Sequence, residues 1–260
     1  MAGECLTDTL TTLSPFDRIE PRLRIVECAQ THLLEVVFVG TFSGDLSPTE
    51  PPPLDGPQRR AAFSTCDAQA RQFLGGDWLA GRLFLYLYLP MDYEWAAGIR
   101  YFACTIAETR LDFSPAFRRS GTLKGSLAGS APLAIACVDE EGEIGASGFY
   151  ETSSLTYVNC ERPHNGEFVG VTKAPDTINP DDDAQQSRVV GPTCWRLLST
   201  YVGLSLTKLA QRRDIAVFWT GIFRDSVKLG EYRARCYVEV TANHLFNRSL
   251  KGLGAEALHA

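Results

Sequence analysis

The chain has 260 residues, of which 45% are apolar and 22% charged, and its formal net charge is −6. This composition is typical of a globular protein, and the length fits one large domain or two ordinary ones. The acidic balance lacks the basic footprint of a nucleic-acid-binding protein, and it disfavours an anionic membrane surface as the main partner. We therefore expect no nucleic-acid partner.

Hydrophobic patterning in the first half predicts four strands, one helix and a short helical turn. The strands are expected at Arg22–Cys28, Leu33–Phe42, Leu79–Leu89 and Ile99–Ala107, the helix at Cys66–Leu74 and the turn at Asp92–Ala97. Thr65 is the expected N-cap of the helix, and Gly75-Gly76 is expected to end it. Residues 46–58 contain five prolines and are predicted to form a loop. Leu79–Leu89 is so apolar that it is expected to be a central strand.

The second half repeats this order of predicted elements. Strands are expected at Leu155–Cys160, Glu167–Lys173, Ile215–Ile222 and Glu231–Thr241, a loop at Asp176–Arg188 and a helix at Cys194–Gln211. Because strands and helices do not alternate as in βαβ units, the pattern favours the α+β class. Each half is expected to form a small antiparallel sheet with one packed helix.

The cysteines recur at a domain-sized interval. The eight are Cys5, Cys28, Cys66, Cys104, Cys137, Cys160, Cys194 and Cys236. When the first four are matched with the last four, three pairs are 132 residues apart and one pair is 128 apart. Such self-similarity indicates an internal duplication. We therefore predict two tandem homologous domains, residues 1–131 and 132–260.

An even number of regularly spaced cysteines indicates a disulfide framework made in an oxidising compartment. Zinc ligation is the first alternative, but no C-x-x-C pair occurs, and eight buried free thiols are the second. Four cysteines per copy allow three connectivities. We favour Cys5–Cys28 with Cys66–Cys104, and Cys137–Cys160 with Cys194–Cys236. In each copy the first pair would tie the entry segment to the first strand, and the second would tie the start of the helix to the strand after it.

Both copies carry the motif C-x-x-x-H-x-x-E, which places His32 with Glu35 and His164 with Glu167. One hypothesis is a small polar site in each domain that binds a metal or a sugar. A metal usually needs three or four ligands, and on a strand residues three apart point to opposite faces unless a turn intervenes. The favoured interpretation is structural: each histidine lies behind its disulfide and hydrogen-bonds to the backbone.

No catalytic constellation emerges from the motifs. A cysteine nucleophile needs a free thiolate beside a base, and none remains if all eight cysteines are paired. No G-x-S-x-G elbow is present, and the acidic run Asp181-Asp182-Asp183 lacks the spaced ligands of an EF-hand loop. We therefore predict no catalytic residue, no resident metal and no cofactor.

With these residues in place, each half resembles the septum-formation domain found in exported or membrane-anchored actinobacterial proteins. The first half matches that pattern at Gly3-Glu4-Cys5, Val26-Glu27-Cys28, His32, Glu35, Cys66, Trp95, Gly98, Arg100, Cys104 and Gly125-Ser126-Leu127. The second half matches it at Cys137, Val158-Asn159-Cys160, His164, Glu167, Cys194, Gly230, Cys236 and Lys251-Gly252-Leu253. It departs at Val227 and Tyr232, where the first half has Trp95 and Arg100.

The resemblance implies a place in the cell envelope and a link to division. We expect an extracytoplasmic, non-enzymatic module that binds or scaffolds a protein or cell-wall component. Membrane contact is expected only through an N-terminal anchor or export signal ahead of Met1. Candidate binding residues are His32, Glu35, Trp95, Arg100, His164 and Glu167. The alternative is an exported hydrolase or metal-dependent enzyme that acts on cell-wall polymers.

Overall fold

The computed structural model describes residues 2–7, 23–109, 117–146, 148–241 and 244–258. The chain divides into two compact units. The first comprises Met1–Ala134 with Asp225–Glu231, and the second comprises Ile135–Arg224 with Tyr232–Ala260. The proposal of two homologous domains, 1–131 and 132–260, concerns their origin and stays a prediction.

The first unit is a five-stranded antiparallel sheet with a long helix. Its elements are β1 (Cys5–Thr7), β2 (Arg24–Val26), β3 (Leu34–Thr41), α1 (Pro57–Leu74), β4 (Leu83–Tyr88), α2 (Asp92–Ala96) and β5 (Tyr101–Glu108). The strand order across the sheet is β2-β1-β3-β5-β4. The buried side chains of α1 recur every three or four residues, which gives the helix one apolar face. The predicted first strand began at Arg22, which lies outside the described residues.

The second unit has an equivalent sheet with more fragmented helices. Its elements are β6 (Cys137–Ile144), β7 (Tyr150–Val158), β8 (Gly166–Lys173), α3 (Asp183–Val189), α4 (Gly191–Val202), α5 (Leu206–Leu209), β9 (Ile215–Thr220) and β10 (Arg233–Val240). Between β9 and β10 the chain forms α6 (Arg224–Lys228), whose residues from Asp225 onward belong to the first unit. The strand order is β7-β6-β8-β10-β9, and all neighbours are antiparallel. The mixed architecture predicted from the sequence is confirmed.

The helices differ from their predicted bounds. Helix α1 begins at Pro57, where proline fits the first turn because its missing N–H has no helical partner there. Thr65 is therefore inside the helix, where its hydroxyl donates to the Ala61 carbonyl, and its assignment as N-cap was wrong. Gly75 ends α1 as predicted, with a φ of 75°. In the second unit, the predicted helix Cys194–Gln211 ends at Gly203, whose φ is 81°.

Strand β4 lies at the edge of the sheet, so the prediction of a central strand was wrong. Its apolar composition reflects burial of both faces: Leu83 and Leu85 on one face and Phe84 and Tyr86 on the other are all buried. The segment that follows β5 covers the start of β4, because Arg82, the residue before β4, donates its backbone N–H to the Leu133 carbonyl.

Four disulfides are present: Cys5–Cys28, Cys66–Cys104, Cys137–Cys160 and Cys194–Cys236. They are the pairs favoured from the sequence. In each unit, one bridge joins the first strand to the segment that follows the second strand, and the other joins the packed helix to the sheet. None of the described cysteines is free. No helix in the described ranges is long and apolar enough to cross a membrane.

We expect the helix-to-sheet bridge to hold α1 on β5. The double substitution Cys66→Ala and Cys104→Ala should lower the free energy of unfolding by about 2–5 kcal/mol, because the 38-residue separation is no longer closed in the unfolded chain. Denaturant titration measures this loss. Ser64→Ala, on the exposed side of the same helix, is the control, and an unchanged unfolding midpoint in the double variant would contradict the expectation.

Candidate functional site

Cys5, His32 and Glu35 come together in the interior of the first unit, and we call them the first buried cluster. Their ligand-type atoms, the Cys5 Sγ, a His32 ring nitrogen and a Glu35 carboxylate oxygen, all lie within 4.8 Å of one another. All three residues are at most 1% exposed. His32 precedes β3 and pairs with Arg119 in an isolated bridge, so it is not on the same strand as Glu35. This break in the strand allows the two side chains to converge.

Hydrogen bonds fix the orientation of His32 and Glu35. The Nδ1–H of His32 donates to the Gln30 carbonyl at 2.9 Å. Nε2 is buried and has no hydrogen-bond partner among the described residues. The Glu35 carboxylate accepts from the Thr122 hydroxyl and from the Leu123 backbone N–H, each at 2.6 Å. Glu35 therefore joins the sheet to the segment at residues 122–123.

Cys137, His164 and Glu167 form the second buried cluster, with the same 4.8 Å limit between their ligand-type atoms. His164 Nδ1–H donates to the Arg162 carbonyl at 2.7 Å, and its Nε2 lies 3.2 Å from Glu167 Oε1. Glu167 also accepts from the Leu250 backbone N–H at 2.8 Å. As in the first unit, the glutamate binds the main chain of a later segment.

The second cluster contains one hydroxyl donor more than the first, because Tyr201 is present in addition to Ser249, which corresponds to Thr122. Tyr201 and Ser249 donate their hydroxyls to Glu167 Oε2 at 2.8 and 2.9 Å. Burial, together with the charge of Glu167, raises the pKa of Tyr201, so its hydroxyl stays protonated and remains a donor. Phe73 holds the position in the first unit that Tyr201 holds in the second. The Phe73 carbonyl accepts the Gly125 N–H, as the Tyr201 carbonyl accepts the Gly252 N–H. The phenyl ring of Phe73 has no hydroxyl to donate.

The two histidines consequently have different electrostatic surroundings. Burial alone lowers the pKa of His164, but its hydrogen bonds to Glu167 and to the Arg162 carbonyl raise it, as do the charges of Glu167 and Asp139. The net pKa lies above the ordinary histidine value, which favours an imidazolium paired with the buried carboxylate. A pair of this kind is stable only when its remaining hydrogen-bonding groups are satisfied, and the donors around Glu167 satisfy them.

Trp95 and Arg100 do not join the first buried cluster. The Trp95 indole is fully buried, and its Nε1–H donates to the Ser47 carbonyl at 2.8 Å. The Arg100 guanidinium lies 4.1 Å from the centre of the Trp95 ring, a cation–π contact, and donates to the Pro48 carbonyl at 3.2 Å. These contacts anchor the proline-rich loop (residues 42–56) to α2 and β5.

The second unit keeps the backbone part of this anchor and lacks its side chains. Phe42 donates its N–H to the Arg100 carbonyl, and Ala174 donates in the same way to the Tyr232 carbonyl. Tyr232 therefore occupies the place of Arg100 without a guanidinium. Val227, which matches Trp95 in the sequence alone, belongs to the first unit. In the loop of this unit, Asp182 accepts from the Gln185 N–H and caps α3, which is a structural use of the acidic run.

Several residues of the two clusters were not identified from the sequence, namely Thr122, Leu123, Tyr201, Ser249 and Leu250. A signal for four of them was present, because a hydroxyl residue precedes Leu-Lys-Gly at both 122–125 and 249–252. Nothing in the sequence pattern of α4 distinguished Tyr201 from an ordinary residue of a packed helix face.

A family model described as Septum formation matches residues 2–236 of the chain. The chain belongs to the septum formation family. No curated protein and no solved structure matches it. Membership in the septum formation family suggests a role related to cell division, and the family is not a known enzyme family. The four disulfides fit a protein that folds outside the reducing cytoplasm.

Removing the charge of Glu35 should destabilise the first unit. In Glu35→Gln the side-chain amide can accept from only one of the two donors, Thr122 and Leu123, and it turns its own N–H groups towards the other. We expect the free energy of unfolding to fall by about 1–3 kcal/mol, the cost of one buried unpaired donor. Denaturant titration is the measurement, Glu27→Gln on the exposed surface is the control, and equal stability of the two variants would contradict the assigned role.

The contribution of His164 to stability should depend on pH. Because its pKa in the folded chain is raised above the unfolded value of 6.5, its stabilising effect is fully present below that value and is lost as the pH rises through the folded pKa. The stability advantage of the wild type over His164→Gln should therefore be larger near about pH 6 than near about pH 9. Unfolding titrations at both pH values measure it; His244→Gln, at an exposed histidine, is the control, and an advantage that grows with pH would refute the pairing.

Proposed function

We propose that this member of the septum formation family is a non-catalytic binding or scaffolding module of the cell envelope, active where the division septum forms. We further propose that the chain arose by duplication of one domain. The shared strand order of the two sheets and the equivalent placement of both clusters support this origin. The partner is a protein or a cell-wall component, and membrane attachment, expected from the family resemblance, is part of the same proposal.

An exposed aromatic surface on the first unit carries the binding proposal. It consists of Tyr93, Ile99 and Tyr101, which we call the tyrosine surface. Their exposed fractions are 69%, 37% and 40%, although all three are large and apolar in part. Partial burial, the charge of Glu94 and the neighbouring Tyr93 hydroxyl raise the pKa of Tyr101, which reflects how close these side chains lie.

The position of this surface favours a binding role. Tyrosines are enriched at the energetic centres of protein interfaces, because the ring supplies contact area and the hydroxyl a hydrogen bond. Tyr93 lies on α2 and Tyr101 begins β5, so both are placed next to the buried Trp95–Arg100 contact. That contact gives the surface a rigid support, which lowers the entropy cost of binding.

The enzyme alternative gains no support from the two buried clusters. Glu35, Glu167 and both histidines are at most 1% exposed, and the carboxylates already accept hydrogen bonds from the protein. A general acid or base must reach the proton it transfers in a substrate complex. The closed geometry of both clusters supports a structural interpretation of their contacts.

The tyrosine surface can be tested with the double variant Tyr93→Ser and Tyr101→Ser in the full chain. We expect the affinity of the variant for its partner to fall by about tenfold or more, because truncation of a central interface tyrosine costs about 2 kcal/mol or more of binding free energy. The measurements are capture of proteins from envelope extracts and co-sedimentation with purified insoluble cell wall. Ile25→Ser is the matched control, because Ile25 is 65% exposed in the same unit. Retention equal to that of the wild type in both assays would rule this surface out.

A further inference from the structure

Reduction would turn the first buried cluster into a four-ligand set. The Cys5 Sγ already lies within 4.8 Å of a His32 nitrogen and a Glu35 oxygen. The Cys28 Sγ is bonded to that sulfur in the disulfide, and once the bridge opens it would complete the set by turning towards the other three atoms. We propose that breaking the Cys5–Cys28 bridge creates a redox-gated zinc site formed by Cys5, Cys28, His32 and Glu35.

The donor set suits zinc. Thiolate, imidazole and carboxylate are its usual protein ligands, and four of them complete a tetrahedral site. At zinc bond lengths such ligand atoms lie about 3.3–3.8 Å apart. The ligand atoms of Cys5, His32 and Glu35 lie within 4.8 Å of one another, so zinc binding would have to shorten these distances by up to about 1 Å. Release of the disulfide provides that freedom, because the two sulfurs then move independently.

His32 is oriented as a metal ligand before any metal binds. Its Nδ1–H donates to a backbone carbonyl, which is the arrangement that fixes the tautomer of metal-bound histidines and directs the Nε2 lone pair at the ion. The Nε2 atom is fully buried and has no partner in the part of the chain that the structure describes. An unpaired buried nitrogen costs stability, and zinc ligation would satisfy it.

Access of a reductant differs between the bridges. The two bridges between helix and sheet are closed to an external thiol in the folded chain, because all four of their cysteines are 0% exposed, namely Cys66, Cys104, Cys194 and Cys236. In the Cys5–Cys28 bridge only Cys5 is fully buried, and Cys28 is partly exposed; the Cys137–Cys160 bridge is alike, with Cys160 partly exposed. Thiol–disulfide exchange requires access of the attacking thiolate to a sulfur, and Cys28 provides it.

An external dithiol supplies the two electrons that reduce the Cys5–Cys28 bridge. One thiolate of the dithiol attacks the Cys28 Sγ, the Cys5–Cys28 bond breaks, and the electron pair leaves on the Cys5 Sγ. The second thiolate of the dithiol then displaces Cys28, so the dithiol is oxidised to its own disulfide by two electrons. Zinc binds the two cysteine thiolates, and the two protons of the dithiol are released to solvent.

The second buried cluster is the internal comparison. There His164 Nε2 is engaged by Glu167, and Glu167 is also held by Tyr201 and Ser249. Zinc would have to break a buried ion pair and displace these donors. We therefore assign the site to the first unit, with about tenfold or greater preference over the second.

The test uses the full chain, treated with an immobilised dithiol that is then removed under anaerobic conditions. Mass mapping should show reduction at Cys28 before reduction of the buried bridges. Zinc is then titrated against a chromogenic chelator, and Co²⁺ is used to detect thiolate charge-transfer absorption. We expect one tight zinc per reduced chain, at least tenfold weaker binding by His32→Ala, and little change for the matched variant His164→Ala.

Two results would overturn the proposal: zinc binding of the same strength by the oxidised chain, or equal affinities of the reduced wild type and His32→Ala. If His32→Ala does not fold, as judged by circular dichroism, Cys28→Ser replaces it. This variant leaves the Cys5 thiol free beside His32 and should bind zinc at least tenfold more weakly than the reduced wild type. Equal affinity in Cys28→Ser would likewise refute the four-ligand set.

Discussion

The buried carboxylate of each unit is the contact on which the rest of the unit depends. Glu35 and Glu167 lie on central strands, and each accepts the backbone N–H of a leucine more than eighty residues away in sequence. A carboxylate in the interior is tolerated only when donors satisfy it. The late segment must therefore return to the sheet before the core can close, so the glutamate connects the beginning and the end of each unit.

The order of the strands could not be read from the sequence, although most of the strands could. Leu33–Phe42 and Ile99–Ala107 were predicted within two residues of β3 and β5 because apolar, β-branched runs are local signals. Strand β1 has three residues, and β6 has acidic side chains at half of its positions, so neither has a hydrophobic pattern of its own. Both exist because they pair with longer neighbours, and pairing is a tertiary property.

The candidate sites were predictable to a similar extent. The C-x-x-x-H-x-x-E motif located the histidines and glutamates, and the expectation that each histidine bonds to backbone agrees with the contacts of Nδ1 in both units. The motif gave no indication that the two histidines differ. That difference depends on Tyr201 and Phe73, which lie on the helix of each unit and far from the motif in sequence. The Tyr201 hydroxyl is one donor by which the second cluster exceeds the first, where His32 Nε2 has no partner among the described residues.

The anchoring of the proline-rich loop has a practical consequence for protein engineering. Trp95 and Arg100 hold this loop through the carbonyl oxygens of Ser47 and Pro48, and every residue type carries such an oxygen. The side chains at Thr49 and Glu50 are exposed and make no contribution to these two bonds. A peptide tag or a fluorophore-bearing segment inserted after Glu50 would leave the anchors in place and would report the position of the protein in living cells.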